Sequence, residues 1–265
     1  MKDRDILLQQ GQDALVTGDA AKALKLLQQA QSAGEFSTDI EMLIAETLEE
    51  SGRLRDAITS LQKVVDSEPE EIDAYYGIGD LWFALHQLDN AEKSYRRIIE
   101  LFPDESDAWV SIGLIFFHRE KVDQAIDCYN KALQLSPDST FAMNSLGDAY
   151  FSRGETDRAL SMFRTVIDLE PENPQAHYNL AEMYYDADDL EQAESACQEA
   201  INHDPGFAYA YLTLGNLYLD QDDSLKALQN FQEFLLRENS PAAEDIRAEV
   251  AAVVDGLKAE LNISG

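Results

Sequence analysis

The sequence predicts an all-α protein, a solenoid built from antiparallel pairs of helices. The first observation is a motif of 34 residues that recurs along 4–241 without insertions. The second is the spacing of apolar side chains within the copy at 106–139, where Trp109, Ile112 and Phe116 fall on one face of a helix. The third is a polar break in the middle of each copy and, in most copies, a proline close to its end. Neither helix of a copy can bury its apolar face alone, so the copies are expected to stack.

Each element of the motif has a mechanical reason. Small residues at repeat positions 8 and 20, such as Gly147 and Ala159, allow the two helices of one copy to cross closely, and large residues at positions 4, 11 and 24 fill the space beside them. Glycine at position 15, as in Gly52 and Gly154, suits a left-handed turn after the first helix. Proline at position 32 ends the second helix because it lacks an N–H. Four copies replace the turn glycine, and we expect slightly strained turns at these residues: His86, Glu120, Asp188 and Asp222.

The copies divide the chain into seven repeats followed by one further helix. The first repeat is the weakest match, because Gly34 stands near its end where others have proline. The predicted repeats are 4–37, 38–71, 72–105, 106–139, 140–173, 174–207 and 208–241. Beyond them a helix over 242–261 is predicted to cover the open end of the stack, with Ser240 as its cap and Pro241 in its first turn. Its apolar face is Ile246, Val250, Val253, Val254, Leu257 and Leu261, and an oligomerisation helix is the alternative.

The composition is strongly acidic. The 265 residues include 51 Asp and Glu against 20 Lys and Arg, a net charge of −31. Such a surface repels phosphate backbones and anionic lipids, so neither nucleic-acid binding nor direct membrane insertion is expected. Basic partners would be attracted at a salt-dependent rate. The alternative interpretation is that the charge serves solubility alone.

The compartment predicted from the sequence is the cytoplasm. The charged N-terminus lacks the apolar run of a signal peptide, and no stretch is apolar enough to span a membrane. Cys128 and Cys197 lie two repeats apart, too far for a disulfide, which fits a reducing environment. An export signal removed by processing stays open as an alternative.

No arrangement of residues typical of catalysis occurs. His86, His118, His177 and His203 sit at four different repeat positions, and His177 takes a large-residue position of the core. The sequence has no metal-binding histidine or cysteine spacing and no Gly-rich phosphate loop. We therefore expect no enzyme activity, no cofactor and no metal site.

The repeat resembles the tetratricopeptide repeat (TPR) family. The resemblance covers 4–241 and rests on the period of 34 residues, the small residues at positions 8 and 20, the large ones at 4, 11 and 24, and the proline at 32. It implies a right-handed superhelix that acts as a protein-interaction scaffold or adaptor. It also implies that positions 2, 5, 6, 9, 12 and 13 of each first helix line the inner groove.

The groove positions implied by the resemblance are acidic and partly aromatic. They carry twelve Asp or Glu side chains and no Lys or Arg, and position 12 is apolar in every repeat except at Glu49. The alternative for some of the aromatic residues is that they only pack between the first helices of adjacent repeats. The predicted groove residues are Asp73, Tyr76, Asp80, Phe83, Asp107, Val110, Leu114, Phe117, His118, Phe141, Asn144, Asp148, Phe151, Tyr178, Asn179, Glu182, Tyr185, Tyr209 and Asn216.

These residues lead to a functional hypothesis. An acidic, aromatic groove would bind a basic, partly apolar peptide or helix, with the aromatic residues holding apolar side chains. Some members of the family hold a chaperone's C-terminal carboxylate with Lys and Arg. No register of this chain supplies those residues at the clamp positions, and a chaperone C-terminus is therefore not expected as a ligand. The alternatives are a self-assembling scaffold and a non-catalytic regulatory subunit of an enzyme complex.

Overall fold

The computed structural model describes residues 2–240 and 243–262 and divides the chain into two compact units, 1–136 and 137–265. In the described part of the first unit every element is a helix or a short connection, and each helix packs against the next one along the chain. Its helices are α1 (Lys2–Val16), α2 (Ala20–Ser32), α3 (Thr38–Glu50), α4 (Leu54–Ser67), α5 (Ile72–Ala84), α6 (Leu88–Leu101), α7 (Ser106–His118) and α8 (Val122–Leu135).

The second unit repeats this architecture and adds one more helix. Its members also pack in chain order, and the last one lies against α14. They are α9 (Thr140–Ser152), α10 (Thr156–Leu169), α11 (Pro174–Asp186), α12 (Leu190–His203), α13 (Ala208–Asp220), α14 (Ser224–Arg237) and α15 (Glu244–Glu260). The prediction of an all-α fold of paired helices is confirmed. Among the described residues no helix has the length and apolar character needed to cross a membrane.

The turn between the two helices of every repeat is left-handed, as the glycine pattern predicts. Position 15 has a positive φ in all seven repeats, whether it is a glycine such as Gly154 (φ 76°) or a residue with a side chain such as His86 (φ 55°). The amide that follows closes the turn by donating to the carbonyl five residues earlier, as Gln87 does to Trp82 at 2.8 Å. The backbone thus enforces the conformation even where the side chain disfavours it.

Helix pairs cross closely because a glycine at position 8 faces an aromatic ring at position 24. A Cβ built on Gly147 would lie 2.4 Å from the Phe163 ring, far inside van der Waals contact. The same holds for Gly79 with Tyr95, Gly113 with Tyr129 and Gly215 with Phe231. Where position 24 is smaller, position 8 is alanine in two repeats, Ala45 with Leu61 and Ala181 with Cys197, whereas the first repeat keeps Gly11 against Leu27. In the other six repeats the larger residue at position 24 goes with the smaller one at position 8, as close packing requires.

Side chains at repeat position 4 also make a polar contact with the carbonyl of the proline six residues earlier. The Tyr75 and Tyr211 hydroxyls donate to the carbonyls of Pro69 and Pro205, both at 3.3 Å. His177 makes the equivalent contact through Nε2, 2.9 Å from the Pro171 carbonyl, and its ring stacks on His203. His177 is half-buried in this structural role, as its repeat position predicts.

The last helix, α15, differs in detail from the prediction. It begins at Glu244, with Ala243 rather than Ser240 as its N-cap residue, and the predicted role of Pro241 lies outside the described residues, as does that of Ala242. Val250, Val254 and Leu257 are buried as predicted. Val253 is exposed, because a helix repeats every 3.6 residues and only a narrow stripe of α15 meets α14.

Candidate functional site

The predicted groove residues lie on the first helix of each repeat, and their exposure divides them into three groups. Those exposed to solvent are Asp73, Asp80, Asp107 and His118 in the first unit and Phe141, Tyr209 and Asn216 in the second. Those half-buried are Tyr76, Phe83, Leu114 and Phe117 in the first unit and Asp148, Phe151, Tyr178, Glu182 and Tyr185 in the second. Val110, Asn144 and Asn179 are buried.

Val110 is a correction to the predicted groove. Its exposure is 0%, so it has no surface to offer a partner. Apolar residues dominate position 5 of the repeat, and the pattern of a single copy cannot show whether the neighbouring helix leaves such a residue open or covers it. Here it is covered, and Val110 belongs to the core.

In the first unit, several groove side chains are held by contacts within the unit. The Phe83 and His118 rings meet edge to face with centroids 5.0 Å apart. The Tyr95 hydroxyl donates to Asp80 at 2.6 Å, and the Tyr76 hydroxyl donates to Glu105 at 3.1 Å. Burial raises the pKa of both tyrosines, and the neighbouring carboxylates raise it further, so both stay protonated donors.

In the second unit, the acids at repeat position 9 join neighbouring repeats. Asp148 accepts a hydrogen bond from Asn179 Nδ2 at 2.9 Å, and Glu182 accepts one from Thr213 Oγ1 at 2.7 Å. The Tyr185 hydroxyl donates to Asp220 at 2.6 Å. Part of the acidic bias of the groove therefore has a structural role, although each carboxylate has further acceptor capacity.

Two groove tyrosines of the second unit also pack against rings of their own unit. Tyr178 lies 5.1 Å from Phe207 and Tyr209 lies 5.9 Å from Phe234, measured between ring centroids. Both keep part of their surface open to solvent. The alternative of a packing role thus holds in part for both rings, each of which also keeps surface exposed to solvent.

A cavity of about 800 Å³ lies in the first unit, on the first-helix face of its first three repeats. Leu8, Met42, Leu43 and Leu61 give it apolar walls, and Leu61 packs against Gly77, where an added Cβ would lie 2.8 Å from Leu61 Cδ1. Five carboxylates also line it, from Asp39, Glu46, Glu49, Glu71 and Asp73. Among the described residues that line it there is no Lys, Arg or His. We call this the acidic cavity.

The carboxylates around the acidic cavity repel one another. The pKa of Glu49 is raised, first by burial and then by the negative charges of Asp80, Glu46 and Glu50. A cation that entered the cavity would relieve this repulsion and lower the same pKa. The electrostatics of the acidic cavity therefore favour a positively charged occupant.

Most of the acidic cavity falls outside the predicted groove residues, which begin at Asp73. The pattern nevertheless contained the signal, because Leu8 and Met42 take position 5, Glu46 takes position 9 and Glu49 takes position 12. The predicted groove residues instead follow the aromatic side chains, which are concentrated in later repeats. The volume of the cavity depends on how neighbouring helices pack, which the repeat pattern does not specify.

The potential metal ligands of the described residues stay apart from one another, and both cysteines are buried. No three His, Cys, Asp or Glu side chains among them converge as a metal site requires. Cys128 and Cys197 are buried and free of disulfides, and burial raises their pKa to about 11 and about 12. Both are thus neutral thiols near pH 7, which do not act as nucleophiles.

Comparison with known proteins agrees with this architecture. Models described as tetratricopeptide repeat match residues 42–105 and 144–209, 106–139, and 196–229, together more than half of the chain. No curated protein matches the chain by sequence.

Solved structures share the fold at low sequence identity. A tetratricopeptide repeat protein from Parabacteroides merdae is 17% identical, with a TM-score of 0.78 over 96% of this chain and 99% of its own. A MamA protein is 26% identical, with a TM-score of 0.54 over 65% of this chain and 94% of its own. Yeast Tom70 is 15% identical, with a TM-score of 0.69 over 98% of this chain and 65% of its own.

Proposed function

The chain belongs to the tetratricopeptide repeat family, and we propose that it is a non-catalytic scaffold that binds a basic, partly apolar peptide or helix of a partner protein. The observation that carries this proposal is the acidic cavity of the first unit. Its volume of about 800 Å³ is in the range of cavities that take several side chains. A fold of this kind does not itself fix a function, so the proposal rests on the chemistry of the lining.

The lining favours a segment that combines positive charge with apolar side chains. The apolar walls would cover aliphatic side chains of the partner, and the surrounding carboxylates would pair with its Lys or Arg residues. A partner with acidic side chains would meet uncompensated repulsion, which gives selectivity as well as attraction. The raised pKa of Glu49 supports this view, because it reflects burial and, after it, repulsion by neighbouring carboxylates that a cation would reduce.

The aromatic side chains further along supply additional contacts in each unit. Phe83 and Phe117 in the first unit, and Phe151 and Tyr185 in the second, are half-buried and keep part of their rings open. Rings held in place by the scaffold can cover apolar side chains of a partner with little loss of conformational entropy. We propose that they set the lifetime of the complex, whereas the acids set its rate of formation.

The experiment measures binding of defined probes. Fluorescein-labelled peptides of twelve residues, alternating Lys with Leu, Glu with Leu or Ser with Leu, are titrated with the full chain, and anisotropy is recorded at low and high salt. We expect the Lys/Leu peptide to bind best and its affinity to fall as salt rises. The double variant Glu46→Gln/Glu49→Gln should weaken it about tenfold, equivalent to two ion pairs of about 0.7 kcal/mol each.

The control is a double variant with the same change in charge. Asp66 and Glu70 are exposed acids of the same unit that do not line the cavity, so Asp66→Asn/Glu70→Gln should leave the affinity within about twofold. Equal losses in both variants would mean that net charge alone attracts the peptide. Equal binding of the three peptides would contradict the proposal itself. We also place the protein in a reducing compartment, which suits its two free, buried thiols.

A further inference from the structure

Asn144 is an amide residue at a repeat position where this chain otherwise uses aliphatic, methionine or tyrosine side chains. Position 5 of the seven repeats reads Leu8, Met42, Tyr76, Val110, Asn144, Tyr178 and Leu212. Asn144 is only 8% exposed, and its side-chain oxygen Oδ1 is buried without a hydrogen-bond partner among the described residues. A buried acceptor without a donor lowers stability, so a leucine here would fold better. Some role other than folding is needed to account for it.

Asp148 lies one helical turn further along α9, on the same face as Asn144. Its Oδ1 accepts the hydrogen bond from Asn179, and Gln175 in turn donates to Asn179 Oδ1 at 2.7 Å, which orients that amide. Asp148 Oδ2 accepts no hydrogen bond from the part of the chain that the structure describes. Burial raises the pKa of Asp148 to about 7, as expected for a carboxylate without a cation.

We propose that Asn144 and Asp148, positioned by Asn179, form a receptor for one arginine side chain of the protein partner. The proposal rests on the proposed function and adds the identity of an anchoring side chain in the second unit. Asp148 is only half-buried, so a guanidinium can reach its carboxylate from solvent.

Arginine fits these two acceptors better than lysine does. A guanidinium carries five N–H donors in a planar fork, so it can pair with Asp148 while a further N–H reaches towards Asn144. The last side-chain torsion of asparagine is broad, so the amide can turn its oxygen towards the entering donor. The cation replaces the missing counter-charge of Asp148, and its N–H supplies the donor that Asn144 lacks. Both unfavourable features of the free protein would be removed at once.

The experiment observes the site directly by NMR. The full chain, labelled with ¹⁵N and ¹³C, is titrated at pH 8 with acetyl-arginine amide, acetyl-lysine amide or acetyl-citrulline amide, a neutral analogue of arginine. We expect saturable shifts of the Asp148 carboxyl carbon and of the Asn144 and Asn179 side-chain amides with arginine, weaker ones with lysine and none with citrulline. Asp148→Asn, which retains an acceptor for Asn179, should weaken arginine binding about tenfold or more.

Asn144→Leu separates this role from a structural one. It should raise the free energy of unfolding, because the unpartnered acceptor is removed, and should weaken arginine binding. A variant that lowers stability and leaves arginine binding unchanged would overturn the proposal. Glu191→Gln, at an exposed position of α12 outside the predicted groove, removes one negative charge from the same unit; it is the control and should leave the shifts intact. Absence of saturable shifts at the three residues would also overturn it.

These outcomes are distinguishable from a failure of the proposed function. The Lys/Leu peptide and the acidic cavity of the first unit test the scaffold role without arginine. Binding of that peptide together with no response to arginine amide would refute only the arginine receptor. A response to arginine amide without any peptide binding would refute only the peptide-binding role.

Discussion

Replacement of Gly147 by alanine should destabilise the protein, although alanine is the better helix former. Gly147 lies inside α9, and a Cβ added there would lie 2.4 Å from Phe163 Cε1. Carbon atoms in contact are separated by about 3.5 Å, so the ring would have to move by about 1 Å. Phe163 is only 1% exposed and its surroundings leave no room for that shift.

The expected magnitude is the balance of two effects. Overpacking of this kind costs about 3 kcal/mol, at the upper end of the usual range. Exchange of glycine for alanine within a helix returns about 1 kcal/mol. The free energy of unfolding should therefore fall by about 2 kcal/mol. Gly256→Ala in α15 is the matched control, because no atom lies within 4 Å of the added Cβ, and it should gain about 1 kcal/mol.

The assay is urea unfolding followed by circular dichroism, combined with amide hydrogen exchange of α9 and α10, because repeat proteins need not unfold in one step. The double variant Gly147→Ala/Phe163→Leu imitates the pair Ala45 and Leu61 and should lose less stability than the sum of its single variants. If Gly147→Ala were as stabilising as Gly256→Ala, glycine at position 8 would not be needed for the close approach of α9 and α10.

Three further predictions concern the left-handed turns, the carboxylate of Asp148 and the polar contacts at repeat position 4. His86→Gly should stabilise the protein by about 1 kcal/mol, and Gly154→Ala should destabilise it by a similar amount, since both positions have a positive φ; urea midpoints test the opposite signs. The folded-state pKa of Asp148 is raised from 3.8 to about 7, so the native state binds more protons and stability should fall as pH rises between these values. For a fully buried carboxylate this shift would cost about 4 kcal/mol, and the partial exposure of Asp148 reduces the cost to about 2 kcal/mol. Asp148→Asn should therefore stabilise the protein at pH 8 and hardly at pH 4. Unfolding curves at the two pH values test this, and an equal effect of the substitution at both would contradict it. His177→Tyr should be neutral within about 0.5 kcal/mol, because Tyr75 and Tyr211 make the same contact, whereas His177→Phe should cost about 1 kcal/mol in thermal unfolding.

The local structure of the repeats was predictable because it depends on residues close together in the chain. Helix periodicity, the small and large positions and the proline stops all act within one copy. Even the left-handed turns at His86, Glu120, Asp188 and Asp222 followed from their register with Gly52 and Gly154. A residue unsuited to that conformation adopts it because the helices on both sides fix the backbone.

The candidate site was predictable only in part, because exposure depends on the neighbouring helices. Repeat position placed Val110 and Asn144 in the groove, whereas the structure buries both, the first as core and the second as an unpartnered acceptor. The acidic bias was evident from the sequence. The hydrogen bond from Asn179 to Asp148 joins two helices, and its two residues lie 31 positions apart in the sequence.

The sequence by itself determined the helix pairs, their turns and the acidic character of one face, because a strict period makes every repeat obey the same local rules. Only the tertiary structure decided which of those side chains stay open, where the acidic cavity lies and which acids are already hydrogen-bonded. Those properties depend on the volumes and angles between neighbouring helices. Asn144 is one example, because it places a buried acceptor without a partner in α9 and does not disturb the period.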